Sequence, residues 1–444
     1  MSDALPLPPR PNLEQYKKLA KDFQEACKSE DPPAVRNWAA QWAENLARLQ
    51  GREITDSLRR QIGYEAERIA ERWQKFKVTN EGAARCKLAQ SQFFIARGHG
   101  FASWPKFARH LEGLARVDSS VSRFEAAADA IAGGDAATLA SLLQEDPALA
   151  RARSTREHRS TLLHYVSANG IEDFRQKTPE NIVEITKLLL DAGADVNAES
   201  DAYGGRATTL GLTATSCHPQ NAGVQLPLMD LLIAHGAAID GPDGSSAVNA
   251  CLHNGRGEAA EYLANRGARL DLEAAAGVGR LDVVQSFFNG DGSLKPTATD
   301  KQRSDGYAWA CEFGRKSVVD FLLRTGIDVN AKLPHNGQTG LHWAAYGGHA
   351  DTVRLLLECG APVDARDESF NGTPLGWALY GWGSGPRPAG RGSYHEAVAL
   401  LVRAGAKLDP EWYDDDEDRR RARDKALSDP RMAAALHGEF LKSE

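Results

Sequence analysis

The sequence lacks the features of membrane-inserted and secreted proteins. No apolar run approaches the roughly 18 residues that a membrane helix needs, and the mean hydropathy is −0.44. The first residues, MSDALPLPPRPNLEQYKK, show no apolar stretch after a basic one, so we expect no secretory signal. From these features we expect a cytoplasmic protein that has no membrane partner.

Cysteine is scarce, and its spacing excludes two classes of small stabilised domain. The six cysteines are widely separated, and no two of them form a CxxC pair. This spacing argues against a disulfide framework and a zinc site, and it suits a reducing compartment. The positions are Cys27, Cys86, Cys217, Cys251, Cys311 and Cys359.

The charge distribution does not favour nucleic-acid binding. The 444 residues carry a net charge of −7, and their composition (42% hydrophobic, 25% charged) is typical of a folded chain too long for one ordinary core. Residues 1–115 hold 19 Lys and Arg against 14 Asp and Glu, whereas the rest of the chain holds 34 against 46. Because phosphate neutralisation needs a concentrated basic face, we expect no nucleic-acid partner.

Sequence motifs for metal and phosphate chemistry are also missing. No HExxH pattern occurs, and the glycine-rich stretch 383–392 lacks the Lys-Ser/Thr of a phosphate-binding loop. The acidic run DDDED at 414–418 is typical of solvated surface. We therefore expect no metal ion, no cofactor and no catalytic residue.

What the sequence does contain is a repeat. Three segments, TLLHYVSANG, TGLHWAAYGGH and TPLGWALYGWG, begin with a threonine suited to capping a helix. A second helix followed by glycine is predicted in six places, because glycine readily adopts the positive φ that ends a helix. These second helices contain the segments that begin at Leu188, Leu231, Tyr262, Phe321, Leu355 and Leu400.

These motifs resemble the ankyrin repeat, whose pattern is T-P-L-H-x-A, a second helix and a Gly-Ala-Asp-Val-Asn arm. Residues 338–367 match this pattern almost end to end. The resemblance implies an all-α fold, an α-solenoid of about eight ankyrin-like helix-turn-helix repeats behind a helical N-terminal domain. It also implies that the motif histidines, His164 and His342, tie neighbouring units together by local hydrogen bonds.

We predict three regions along the chain. Residues 1–115 have apolar spacings near three and four without the repeat, which predicts a helical N-terminal domain. Its HGFASWP stretch is similar to the front of bacterial ankyrin proteins. Residues 120–413 form the predicted repeat array. Residues 414–444 form a charged connection and a C-terminal capping helix, as repeat arrays need a polar outer cap.

Three units carry insertions between their two helices. The motif-histidine position precedes the closing glycine by 18 residues in three units, but by 29, 25 and 29 in those of His164, Gly211 and Gly376. The inserted stretches are 171–181, 218–225 and 383–394. Insertions in stacked repeats emerge on one face, often the binding face. Neutral drift is the alternative, because long surface loops cost little stability.

Aromatic residues recur in the same position of three consecutive units. Trp309, Trp343 and Trp377 are 34 residues apart. Glu312, Tyr346 and Tyr380 repeat at the same interval, three positions further along each first helix, and therefore on the same face. By the ankyrin resemblance this second set faces the concave groove, whereas the tryptophans are also suited to packing between units.

Such rings could grip the apolar anchors of a peptide, stack on a sugar or attract a cation. Some ankyrin arrays form aromatic cages for methylated lysine, and this pattern is similar. We therefore predict a scaffold for a protein or peptide partner. The alternatives are a small-molecule or carbohydrate site, and a hydrolase- or lyase-type enzyme that uses a groove carboxylate and histidine. The candidate binding residues are Trp309, Glu312, Phe313, Trp343, Tyr346, Trp377, Tyr380, Trp382, His253 and His218.

Overall fold

The computed structural model describes residues 4–8, 11–29, 33–49, 52–79, 86–241, 244–332, 337–383, 393–408 and 417–439. The fold over these residues is helical, which confirms the all-α prediction. The described strands are one antiparallel pair, β1 (Glu199–Ser200) and β2 (Ala207–Thr208). The chain divides into two compact units, Met1–Pro242 and Asp243–Glu444. Within the described residues, no helix has the length and apolarity needed to cross a membrane.

The first unit begins with five helices and continues with helix pairs. Its α-helices are α1 (Leu13–Lys28), α2 (Ala34–Leu49), α3 (Asp56–Thr79), α4 (Leu88–Gly98), α5 (Trp104–Leu114), α6 (Ser120–Gly133), α7 (Ala136–Glu145), α8 (Leu162–Tyr165), α9 (Ile182–Asp191), α10 (Thr209–Thr215), α11 (Cys217–Asn221) and α12 (Gln225–Ala234). Short 3₁₀ turns lie at Pro147–Arg151, Asp173–Arg175 and Ala202–Gly204.

An aromatic core holds the first five helices together. Phe23 of α1 contacts Trp38 of α2 and Trp73 of α3, with ring centroids 4.4 and 5.0 Å apart, and it stacks on Phe94 of α4 at 5.1 Å. All four rings are buried. Aromatic side chains bury more apolar area than any others, so this cluster is a main source of stability for the region.

A disulfide joins Cys27, near the end of α1, to Cys86, just before α4. The argument from spacing against disulfides was therefore wrong for this pair. The two cysteines are 59 residues apart in sequence, and the packing of α1 against α4 brings their Cα atoms to 5.9 Å. Spacing reveals only pairs that are close along the chain, whereas this pairing depends on the tertiary contact.

The second unit consists of successive helix pairs and two final helices. Its helices are α13 (Ala247–His253), α14 (Gly257–Asn265), α15 (Leu272–Gly277), α16 (Leu281–Ser286), α17 (Asp300–Glu312), α18 (Lys316–Arg324), α19 (Gly340–Tyr346), α20 (Ala350–Glu358), α21 (Pro374–Gly383), α22 (Tyr394–Arg403), α23 (Glu417–Ser428) and α24 (Pro430–Leu436).

The helix ends follow the signals read from the sequence. All six glycines that were predicted to close second helices have φ between +86° and +102°. Side chains with a Cβ avoid this region, so glycine ends each helix at little cost. These glycines are Gly193, Gly236, Gly267, Gly326, Gly360 and Gly405.

The motif histidines connect neighbouring helix pairs within each unit. His164 Nδ1 accepts the Thr161 backbone N–H at 3.1 Å, so its Nε2–H donates to the Ala207 carbonyl at 3.1 Å. His342 makes the equivalent pair of bonds, from the Thr339 N–H and to the Gly372 carbonyl. Burial lowers the pKa of His164 to about 4, so the ring is neutral at neutral pH.

Candidate functional site

Three tryptophans line up on consecutive first helices of the second unit. Trp309 of α17, Trp343 of α19 and Trp377 of α21 contact one another in sequence order, with ring centroids 6.2 and 5.9 Å apart. Their 34-residue interval puts each ring at the same place in its helix pair, so stacking of the helix pairs brings the rings together. With Tyr346 and Tyr380 they form one continuous surface, called here the aromatic row.

The end of the row that contains Trp377 and Tyr380 is called here the distal end. Its phenol rings surround one indole. Tyr346 and Tyr380 are nearly parallel, with an interplanar angle of 13° and centroids 6.1 Å apart. The Trp377 indole is nearly perpendicular to both phenol rings, at 87° and 77°. Ring faces therefore point in two perpendicular directions around Trp377. A cation or an apolar side chain placed there would meet more than one ring.

Exposure increases toward this end of the row. Trp309 is 5% exposed, Trp343, Tyr346 and Trp377 are half-buried, and Tyr380 is 64% exposed. Phe370, which sequence reasoning missed, is 72% exposed and contacts Trp377 with centroids 6.0 Å apart. It lies between two helices, outside the 34-residue pattern, so periodicity could not identify it.

Two carboxylates accept hydrogen bonds from the indoles. Trp309 Nε1 donates to Glu273 Oε1 at 2.9 Å, and Trp377 Nε1 donates to Asp367 Oδ2 at 3.0 Å. Burial opposes ionisation of both groups, but hydrogen bonds to each carboxylate outweigh it and lower the pKa of Glu273 and of Asp367. Both are therefore ionised at neutral pH, and each holds its indole in a fixed orientation.

His253 extends the site beyond Trp309. Its Nε2 lies 2.7 Å from Glu273 Oε1, and its ring meets the Trp309 indole edge-on at 5.1 Å. The hydrogen bond to Glu273 raises the pKa of His253. A histidine and a carboxylate at this distance can hold a proton between them. Among the described residues, no group of three or more His, Cys, Asp or Glu is arranged to bind a metal ion.

Four other predicted residues lie apart from the exposed rings. Glu312 is 5% exposed, so little of its side chain is available to a partner. Phe313 lies against Gly257, where a Cβ would come within 2.7 Å of the phenyl ring. Trp382 is covered by Lys425, whose Nζ is 5.1 Å from the ring centroid. His218 belongs to the first unit, on α11, and is half-buried.

The insertion 171–181 places charged side chains inside the first unit. Arg175 Nη1 lies 2.8 Å from Glu125 Oε2, and Arg156 Nε lies 2.9 Å from Glu172 Oε1. Arg156 Nη1 is also 2.5 Å from Glu125 Oε1, and all four side chains are buried. This group, called here the buried ion cluster, anchors the insertion to α6. Its Glu172 and Arg175 are consequently turned away from solvent.

Of the other two insertions, 218–225 lies within the described residues and most of 383–394 does not. In 218–225, the Gln225 amide donates to the carbonyls of Thr213, Ala214 and Ser216 at 3.0 to 3.1 Å, which fixes the start of α12. Most of 383–394 lies outside the described residues, as does the acidic run before α23.

Comparison with protein families identifies part of this second unit. A family model described as ankyrin repeats (3 copies) matches residues 272–367 and 307–412. A search of curated proteins returns no match. The family match covers the helices that carry the aromatic row. The predicted extension of the array toward residue 120, its count of about eight repeats and the three predicted regions stay predictions.

Proposed function

Residues 272–412 belong to the ankyrin repeat family, and from this premise we propose that the aromatic row binds a segment of another protein. Ankyrin repeats are generally protein–protein interaction modules. One observation supports placing the contact at this row. Its distal end exposes Tyr380 and Phe370 beside three half-buried rings, and contiguous exposed aromatic surface is typical of interaction sites.

The charges behind the row favour a partner segment with a basic side chain. Glu273 and Asp367 are ionised and bonded to indole N–H groups, so negative charge lies at the edges of Trp309 and Trp377. Ring faces attract cations, most strongly those of tryptophan. A lysine or arginine next to an apolar anchor therefore fits the distal end of the row.

Selection from a displayed library of random peptides tests this proposal. We expect peptides enriched in Lys or Arg beside an aromatic or aliphatic residue, and we expect Tyr380→Ala to weaken their binding at least about tenfold, as for a hot-spot residue. Tyr64→Ala removes another exposed tyrosine, 75% exposed and in the first unit, and should leave binding unchanged. Equal loss with both variants, or no enrichment at all, would contradict the proposal.

A small molecule, a carbohydrate and a hydrolytic or lyase-type reaction remain alternative predictions for the same rings. The His253–Glu273 pair would be the proton-transferring element of such a reaction. A neutral sugar carries no charge for salt to screen, so its binding would be insensitive to salt. A basic peptide would bind more weakly as salt screens the two carboxylates.

A cytoplasmic location and a bacterial source also stay predictions. The Cys27–Cys86 disulfide bears on the first, because such bonds are rare in reducing compartments. Mass spectrometry of the protein from its native cells, with thiols alkylated at lysis, distinguishes the cases. Free Cys27 and Cys86 would favour the cytoplasm, whereas a bonded pair would favour an oxidising compartment.

A further inference from the structure

A short segment, residues 4–8, packs against helices α2, α3 and α4 of the first unit. The Leu5 backbone is held on both sides: its N–H donates to the Gly98 carbonyl at 2.8 Å, and its carbonyl accepts from His99 Nδ1 at 2.9 Å. Ala4 and Pro8 are buried. Leu5 is flanked by Pro6, which has no N–H to donate. The contact has the form of main-chain capture of one residue in a proline-containing peptide.

Aromatic rings pack closely around the His99 side of this contact. The His99 ring is stacked on Phe107 at an interplanar angle of 9° and is enclosed by Tyr16 and Trp42. Burial lowers the pKa of His99 to about 3, so the ring is neutral and can carry its proton on Nδ1, facing the Leu5 carbonyl.

Gly100 lets the segment approach closely. Its φ is +82°, and a Cβ there would lie 3.4 Å from the Ala4 Cβ. The turn after α4 is therefore shaped to admit a chain at the position of Ala4. These features do not depend on the segment being joined to α1.

Residues 4–8 do not fill the space they occupy. Cavities of about 250 and about 220 Å³ lie in this region, and Ala4 and Leu5 line both of them. The walls combine apolar side chains, such as Leu46 and Ile62 in the first cavity and Phe94 in the second, with charged ones, among which Arg72 lines both. Both spaces are open to solvent, so residues 4–8 cover the groove without filling it.

We propose that this groove is a peptide-binding site that residues 4–8 fill in cis, and that in trans it accepts an extended Leu-Pro segment of another protein with a larger apolar residue in place of Ala4. The leucine would use the same two main-chain bonds, to Gly98 and His99. The larger residue would occupy space that Ala4 leaves empty. The site is separate from the aromatic row and does not depend on its proposed function.

The test uses the full chain and labelled peptides. The Leu5→Asp variant replaces a side chain that packs on the hydrophobic core of the helices by a carboxylate, and it is designed to displace the cis segment. The probes are fluorescein-labelled peptides of residues 1–12: the unchanged sequence, one with Ala4→Leu and one with Leu5→Asp. Val78→Asp is the matched protein control, because Val78 is 87% exposed on α3 and does not line either cavity.

We expect saturable anisotropy changes with Leu5→Asp protein. A tethered competitor acts at an effective concentration in the millimolar range, so intact and Val78→Asp proteins should bind at least about tenfold more weakly. The Ala4→Leu peptide should bind more tightly than the unchanged peptide, and the Leu5→Asp peptide should not bind. A folded Leu5→Asp protein that binds no peptide, or binds all three equally, would overturn the proposal.

A second variant keeps the test decisive if Leu5→Asp fails to fold. Ala4→Leu in the full chain should raise the melting temperature and weaken peptide binding in trans, because the cis segment then fills the groove better. A lower melting temperature would show that the cavities do not admit a larger side chain, and it would contradict the proposal.

Discussion

The buried ion cluster of the first unit and the aromatic row of the second invert the usual distribution of side chains. In the first unit two arginines and two glutamates are enclosed, although charged residues are normally exposed. In the second unit Tyr380 and Phe370 are largely exposed, although aromatic residues normally fill cores. Both exceptions occur in stacked helix pairs, so the difference comes from the side chains that surround each position.

The comparison distinguishes side chains that stabilise the fold from side chains that are available to bind a partner. A buried charge is tolerated only when oppositely charged partners surround it, and each member of the cluster contacts at least two charged neighbours. Those contacts turn the charged groups of the cluster toward one another and away from solvent. An exposed ring retains its apolar faces for a partner. The cluster is therefore expected to control stability, and the exposed end of the row to control binding.

The largest effect should come from breaking the ion cluster. Glu172→Gln keeps the shape of the side chain but removes one of the two buried carboxylates that face Arg156 and Arg175. We expect the free energy of unfolding to fall by about 3–5 kcal/mol, as for buried pairs that lose one partner. Equilibrium unfolding in urea, followed by circular dichroism, measures the loss.

Glu67→Gln is the matched control for that substitution. Glu67 pairs with Arg36 at 2.9 Å, but both side chains are at least half exposed. Surface pairs contribute about 1 kcal/mol or less. Equal losses for the two substitutions would show that burial of the cluster has no special energetic weight.

Trp309 should behave as a core residue although it belongs to the aromatic row. Because its indole is buried, Trp309→Ala should cost about 3 kcal/mol or more. Trp309→Phe keeps a ring and loses the hydrogen bond to Glu273, so its cost should be smaller. Thermal unfolding of the two variants measures this order. A negligible loss for Trp309→Ala would mean that the whole row, not only its distal end, is available for binding.

Features set within one repeat could be predicted from sequence. The closing glycines, the capping threonines and the histidine ties are local, and the structure has them where the motifs indicated. The 34-residue interval of the tryptophans also predicted that Trp309, Trp343 and Trp377 would be neighbours, because identical positions of stacked units are adjacent.

Features that depend on what packs over a position could not be predicted in this way. Glu312 and Tyr380 share one repeat position, yet one is enclosed and the other exposed. The insertion 171–181 was expected to be a surface loop. Its charged residues point inward because Arg156 and Glu125 lie there and pair with them. The indole–carboxylate pairs span 36 and 10 residues and follow no period.

The protonation of His253 should distinguish it from the buried histidines of both units at neutral pH. Burial lowers the pKa of His99, His110 and His164 in the first unit and of His342 and His395 in the second, whereas the hydrogen bond to Glu273 raises that of His253. The stabilising contribution of His253 is fully present below the ordinary histidine pKa of about 6.5 and is lost as pH rises through the higher folded value. That of Glu273, whose pKa is lowered, is present above about 4.5 and is lost as pH falls through the folded value.

The pair therefore stabilises the second unit most between about pH 4.5 and 6.5. Proton NMR should show His253 titrating above its ordinary range, and Glu273→Gln should lower that pKa. His253→Gln should remove the decline in melting temperature on the alkaline side of this window. An unchanged His253 titration in Glu273→Gln would mean that the pair does not form in solution.

The smallest effect on stability should come from the most exposed phenol. The Tyr380 ring is 64% exposed, so its truncation removes little buried area. Tyr380→Ala should change the free energy of unfolding by no more than about 0.5 kcal/mol, the same as Tyr64→Ala in the first unit. Urea unfolding of both variants measures this difference. A loss above 1 kcal/mol at Tyr380 alone would assign its ring to the packing between units. A near-zero loss combined with weaker peptide binding would mean that this ring is held at the surface for a partner, since the fold does not require it.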